Sequence, residues 1–139
     1  MAAAPVLDSD ILIDYLRGVD PGRQVVREVR AARAFRVTAV SAFELALGRG
    51  YARNSAPVEA LLSTQCLPLT REAALRGGDV LRELRAAGAG IEIRDAMQAG
   101  ICLEARAQLV TRNVRHFKRV PGLEVVEPQH WLGESRAAE

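Results

Sequence analysis

The sequence predicts an α/β domain built around a central, mostly parallel sheet of four to five strands. Two observations predict it. Short continuous apolar runs rich in valine, isoleucine and leucine alternate with longer stretches in which apolar residues recur at helical spacing. The runs are bounded by proline, glycine and polar residues, with no repeats and no linker between them. At 139 residues and 49% hydrophobic, the chain matches one domain with its own core.

The elements follow in order. Pro5-Val6-Leu7 predicts a short buried strand, and Asp8-Ser9-Asp10 the turn into a helix ending near Gly18. Val25, Val26 and Val29 predict a second helix from about Pro21 to Ala32. The β-branched run Phe35–Val40 predicts a strand, and Ser41 opens a helix reaching about Arg53. A further helix is expected over Pro57–Thr64. Cys66-Leu67-Pro68-Leu69 reads as an edge strand, because proline cannot donate to a sheet ladder. Helical spacing then runs from Arg71 to about Ala87. Its Gly77-Gly78 pair, at about 1 kcal/mol per glycine relative to alanine, implies close packing against a neighbouring helix or, as the alternative, a kink. Asp95 opens a helix to about Ala105. Gln108–Thr111 and Leu123–Val126 are the last two strands, and the polar tail from Pro128 is expected to fray, with Trp131 the residue able to dock.

Composition excludes several function classes. With 19 basic and 17 acidic residues the formal net charge is +2, so the chain is neither a polycation nor an acidic tail protein. Aromatic residues make up 4%, too few for a base-stacking platform. Cys66 and Cys102 form no CxxC pair, which argues against a zinc ribbon or a thioredoxin motif, and Cys102 reads as a small core residue. No apolar run approaches the roughly 18 residues of a membrane span, and Asp8 comes too early for a signal peptide, so a cytoplasmic location is expected. Glycine-rich nucleotide loops and a nucleophile elbow are also absent.

In parallel sheets, function gathers at the carboxyl ends of the strands. Asp8 follows the first strand, Glu44 lies just after the second, Asp95 begins a helix, and Asn113 follows Leu109-Val110-Thr111. Each has a plainer explanation. Asp8 and Asp95 are good helix caps, and Ser41-Ala42-Phe43-Glu44 matches a capping box. If the three carboxylates converge, their mutual repulsion calls for a divalent cation. A donor set of oxygen without His or Cys suits Mg²⁺ or Mn²⁺ and the hydrolysis of a phosphodiester. The densest basic run, Arg112, Arg115, His116, Lys118 and Arg119, begins beside Asn113, where Arg112, Arg115 and His116 are candidates for contact with substrate phosphates.

VLDSDILIDYLRG resembles the opening motif of PIN domains, especially of VapC-type toxins. SAFELALG, Ser41 to Gly48, resembles the second motif, and the stretches from Ile93 to Met97 and from Leu109 to Leu123 resemble the third and fourth. The resemblance covers about Val6 to Val126. It implies a three-layer α/β/α PIN-like domain over residues 1–127, with residues 128–139 a short C-terminal tail. It further implies a Mg²⁺- or Mn²⁺-dependent endoribonuclease, the toxin of a type II toxin–antitoxin pair, restrained by a VapB-like antitoxin and homodimeric. Asp8, Glu44 and Asp95 match the metal-site acids, with Asn113 completing the catalytic set and Ser9 and Ser41 supporting it. Many members carry Asp at the Asn113 position, which weakens the case for a second metal. Arg106 stands where relatives commonly have a turn glycine, so a local backbone adjustment is expected. Asp10, Asp14 and Asp79 have no counterpart among the ligands, although Asp10 is close enough in sequence to face the site from behind. Two other readings stay open: a haloacid-dehalogenase-type phosphohydrolase using Asp8 and Asp10, and a PIN-like module that binds RNA or a partner without catalysis.

Overall fold

A computed structural model describes residues 3–32 and 34–138. In chain order the elements are β1 (Val6–Leu7), α1 (Ser9–Arg17), α2 (Gly22–Ala31), β2 (Arg36–Thr38), α3 (Ala39–Ala46), α4 (Arg49–Arg53), α5 (Ala56–Leu61), β3 (Gln65–Leu67), α6 (Arg71–Ala86), α7 (Ile93–Ala105), β4 (Leu109–Val110), α8 (Val114–Phe117), β5 (Val125–Val126) and α9 (Pro128–Ala137). The strands form one sheet in the order β3-β2-β1-β4-β5, and every pairing is parallel. β3 is an edge, as Pro68 requires. After β3 the chain returns past β1 to add β4, which places the topological switch point between the carboxyl ends of β1 and β4.

Alternation along these short strands fills two cores. Leu7, Val37, Val110 and Val126 face Ile11, Leu12, Val25, Val26 and Leu132 on the α1, α2 and α9 side. Val6 and Leu109 face Leu84, Ala99, Cys102 and Phe117 on the α6, α7 and α8 side. Both sheet faces are therefore covered, which is why β1, β4 and β5 are continuously apolar. Cys102 is one of the fully buried core residues, and burial pushes its thiol up to about 12.

Glycine sets the closest helix contact. A Cβ on Gly77 of α6 would lie 2.6 Å from the Ala96 carbonyl oxygen of α7, whereas one on Gly78 would meet nothing within 4 Å. The packing expected of the glycine pair thus belongs to Gly77 alone. Arg106 ends α7 with φ 51°, the left-handed conformation, and its N–H bonds back to Cys102 and Leu103. The adjustment expected at this position is that backbone conformation, adopted here by a residue with a Cβ.

The structure differs from the sequence reading at several boundaries. The β2 strand stops at Thr38, whose hydroxyl accepts the Ser41 N–H and caps α3. The capping box of Ser41 and Glu44 is therefore not formed, because the helix starts two residues earlier. The single helix expected to reach Arg53 breaks at Gly48, which is extended and starts α4. The α7 helix begins at Ile93, so Asp95 lies in its first turn and does not cap it. The segment from Pro128 forms a helix where fraying was expected. Leu132 is buried, Trp131 packs on the core, and Arg136 lies 3.6 Å from Glu28 of α2. Docking of Trp131 and Leu132 holds a segment whose composition is largely polar.

Candidate active site

Parallel register sets the site. Val6 pairs with Leu109 and Leu7 with Val110, so the next residues, Asp8 and Thr111, meet at the switch point. The Asp8 N–H bonds the Val110 carbonyl (3.0 Å), and its Oδ1 accepts the Ser9 N–H (2.9 Å) at the start of α1. Asp8 is thus a helix cap and a site residue at once. Its Oδ2 accepts the Thr111 hydroxyl at 2.7 Å, and its Oδ1 also accepts Gln98 Nε2 at 3.1 Å. The residue is only 8% exposed.

Gln98 links three elements. Its amide nitrogen donates to Asp8 and to Ser41 Oγ (3.1 Å), and its carbonyl oxygen takes the Thr38 hydroxyl. All four side chains are buried and satisfied, as a polar network in a core must be. Gln98 lies three residues after Asp95, hence on the same side of α7.

The other acids sit around this frame. Glu44 is in the second turn of α3, where Oε1 accepts Ser9 Oγ (3.3 Å) and Oε2 accepts Arg94 Nη1 (3.3 Å). Asp95, in the first turn of α7, accepts Asn113 Nδ2 at 3.3 Å. Asp10 accepts the Arg112 N–H at 2.9 Å and a longer bond from Thr111, while its Oδ1 is buried with no hydrogen-bond partner.

Electrostatics show that these groups share one region. Burial first, and then repulsion from Asp10, pushes the Asp8 carboxyl up to about 7. Burial also raises Asp10, although the Arg112 N–H and guanidinium oppose it. Glu44 is raised by burial and, more weakly, by Asp95 and Asp10, against the pull of Arg94. Asp95 is raised by burial and by Glu92, against His116, Arg94 and Asn113. Four acids held above their ordinary values at one sheet edge form a region short of positive charge.

The sequence placed Asp8, Glu44, Asp95 and Asn113 at one edge, and the structure brings them to one region. Ser9 serves Glu44 through its hydroxyl, and Ser41 serves Gln98. Arg112 has structural partners as well. Its Nε lies 3.0 Å from the buried Asp14 carboxylate and 4.0 Å from Asp10, so its half-exposed guanidinium braces α1. Arg115 is exposed on α8, and His116 is near enough to Asp95 to favour its charge. Asp79 pairs with Arg82 at the surface, away from the acids. Gln98, Thr111, Thr38 and Arg94 escaped the sequence reading, and Asp10 was set aside. The available signals were the three-residue step from Asp95 to Gln98 and the threonines ending two strands.

Among the described residues, no three His, Cys, Asp or Glu side chains are grouped closely enough to hold a metal ion by themselves. The donor set is nevertheless oxygen only, and it includes an orphaned buried carboxylate oxygen on Asp10 beside Asp8. That fits Mg²⁺ or Mn²⁺, which need only one or two direct carboxylates and keep several waters. It does not fit zinc. Also among the described residues, no helix is long and apolar enough to cross a membrane.

A PIN domain family model matches residues 6–123. Ribonuclease VapC10 of Mycobacterium tuberculosis is 32% identical over 123 residues, spanning 88% of this chain and 90% of its own length. Ribonuclease VapC19 of the same organism is 31% identical over 123 residues, 86% and 96% respectively. Among solved structures, the DNA-bound VapBC complex of Salmonella typhimurium contains a chain that superposes with a TM-score of 0.76 at 22% identity, covering 91% of this chain and 99% of its own. VapBC2 of Rickettsia felis, bound to a promoter DNA fragment, gives 0.73 at 18% identity, covering 88% and 96%. These two likenesses show the fold.

Proposed function

The chain belongs to the PIN-domain family, within its VapC-type group, and from that premise we propose that it is a metal-dependent endoribonuclease, the toxin of a VapBC-type pair. The observation that carries the reading is the nearness of Glu44 to both Asp8, at the β1/β4 switch point, and Asp95, which holds Asn113. The reaction is hydrolysis of an RNA phosphodiester bond by water, in the cytoplasm. The partner that restrains it is a VapB-like antitoxin, and the toxin itself acts as a homodimer. The family match supports this over a dehalogenase-type phosphohydrolase.

Asp8, Glu44 and Asp95 would hold Mg²⁺ or Mn²⁺, partly through water, with Asp10 behind Asp8. A cation bound there supplies an activated water and steadies the leaving oxygen. The protein's own contribution is orientation. Ser9 N–H, Gln98 and Thr111 fix the Asp8 carboxylate, Ser9 Oγ and Arg94 fix Glu44, and Asn113 fixes Asp95. Dry, prepositioned oxygens need little rearrangement when charge develops. Arg115 and His116 stand at the rim, where they would receive RNA phosphates.

The test is cleavage of single-stranded and looped RNA with Mg²⁺ or Mn²⁺, beside a phosphomonoester control. Cleavage that stops in chelator, and in Asp95→Asn or Asp8→Ala, is the expected result. Full-rate cleavage by either variant overturns the assignment. Monoester hydrolysis alone supports the phosphohydrolase instead, and RNA binding without cleavage supports a non-catalytic module.

A further inference from the structure

Glu44 differs from the other acids in how its oxygens are used. Oε1 takes the Ser9 hydroxyl, and Oε2 takes the Arg94 guanidinium. Arg94 comes from α7, 50 residues away in sequence, and stands next to Asp95. It is a cation inside the acidic region, and it favours the charged form of both Glu44 and Asp95. Its side chain is 47% exposed, and a second acid, Glu92, lies 3.8 Å from Nη2. The guanidinium therefore has an alternative partner at the N-cap of its own helix and room to leave.

We propose that Arg94 is a built-in counter-ion that occupies Glu44 and competes with the divalent cation for it. This rests on the metal-dependent reading above and adds a regulator of the same site. With no divalent cation, Arg94 holds α3 to the start of α7 and offsets the repulsion between Glu44 and Asp95. When a divalent cation enters, Glu44 Oε2 becomes a ligand or accepts from a metal-bound water, and the guanidinium moves to Glu92 and the rim. A half-exposed pair is weak enough to yield, which a buried pair is not. Arg112 shows the contrast, since its partner Asp14 is buried.

The experiment is Mn²⁺ titration by calorimetry on the full chain, comparing wild type, Arg94→Gln, Glu44→Gln and the double variant. Arg94→Gln should bind Mn²⁺ about two- to fivefold more tightly, the range expected for removing one partly exposed pair. In the Glu44→Gln background the same change should give no gain. Thermal unfolding supplies a second readout: without metal, Arg94→Gln should melt lower than wild type, and Mn²⁺ should raise its Tm by more. Equal Mn²⁺ affinity in wild type and Arg94→Gln overturns the inference while leaving the metal site standing. So does a gain undiminished by Glu44→Gln, which would reflect bulk charge alone. Absence of Mn²⁺ binding in both wild type and Arg94→Gln overturns this inference and the metal reading together.

Discussion

Replacing Asp8 by asparagine should stabilise the metal-free protein at alkaline pH. Asp8 is buried among Ser9, Gln98 and Thr111 and faces Asp10, so its ionised form is unfavourable. Raising a carboxyl from 3.8 to about 7 corresponds to roughly 4 kcal/mol between its two protonation states. Because the folded value lies above the unfolded one, the unfolded chain releases this proton first. Wild-type stability is then fully present below about pH 4, is lost as pH rises toward 7, and levels off above it. Asparagine does not titrate, and its geometry suits the pocket. Its oxygen keeps the Ser9 and Gln98 donors, and its NH₂ meets the Thr111 oxygen while the Thr111 hydroxyl turns to Asp10, already 3.4 Å away. Weaker hydrogen bonds to a neutral acceptor reduce the gain to about 1–3 kcal/mol at pH 8. Urea unfolding in chelator from pH 4.5 to 8.5 measures it, read as a midpoint change at constant slope. The difference between Asp8→Asn and wild type should grow with pH up to about 7. A variant no more stable than wild type at pH 8, or a difference independent of pH, refutes the reasoning.

Arg106→Gly should stabilise the protein by about 0.5–1 kcal/mol, because φ 51° strains any residue with a Cβ while glycine's extra unfolded entropy offsets part of the relief; thermal unfolding checks it. Gly77→Ala should destabilise by roughly 1–3 kcal/mol, since its Cβ would lie 2.6 Å from a backbone oxygen. Gly78→Ala, in open space, should stabilise by up to about 1 kcal/mol, and equal effects at the two positions would contradict the packing argument. Arg112→Ala should cost roughly 1–3 kcal/mol by leaving Asp14 without its cation. Arg115→Ala should leave stability unchanged and reduce the salt slope of RNA binding by about 0.7, measured by fluorescence anisotropy at several salt concentrations.

The layered α/β fold was legible in the amino-acid sequence because its signals are local. Val6-Leu7, Leu109-Val110 and Val125-Val126 are apolar on both sides, and only a sheet covered on both faces uses such strands. Asp8 and Glu44 were legible for the same reason, since both follow strands of a parallel sheet whose ends point to one edge. The basic run from Arg112 was legible as a cluster of charge. Helix boundaries near Thr38, Gly48 and Pro128 were not, because a cap or a docking contact decides each of them by about one hydrogen bond or one buried side chain.

Partnership was left to the tertiary structure. Asp10 and Asp14 sit four residues apart on one helix, yet Asp10 takes the Arg112 backbone N–H beside Asp8 while Asp14 takes the Arg112 guanidinium. Gln98 reads as an ordinary helix glutamine until Thr38, Ser41 and Asp8 close around it. Arg94 reads as a surface charge until α3 brings Glu44 to it. Residue type and spacing therefore determined which groups reach the carboxyl edge of the sheet, because backbone geometry repeats with a known period. Which group holds which was decided only by the packing of helices far apart in sequence, because hydrogen bonds and ion pairs act over a few ångström and no local pattern carries that distance.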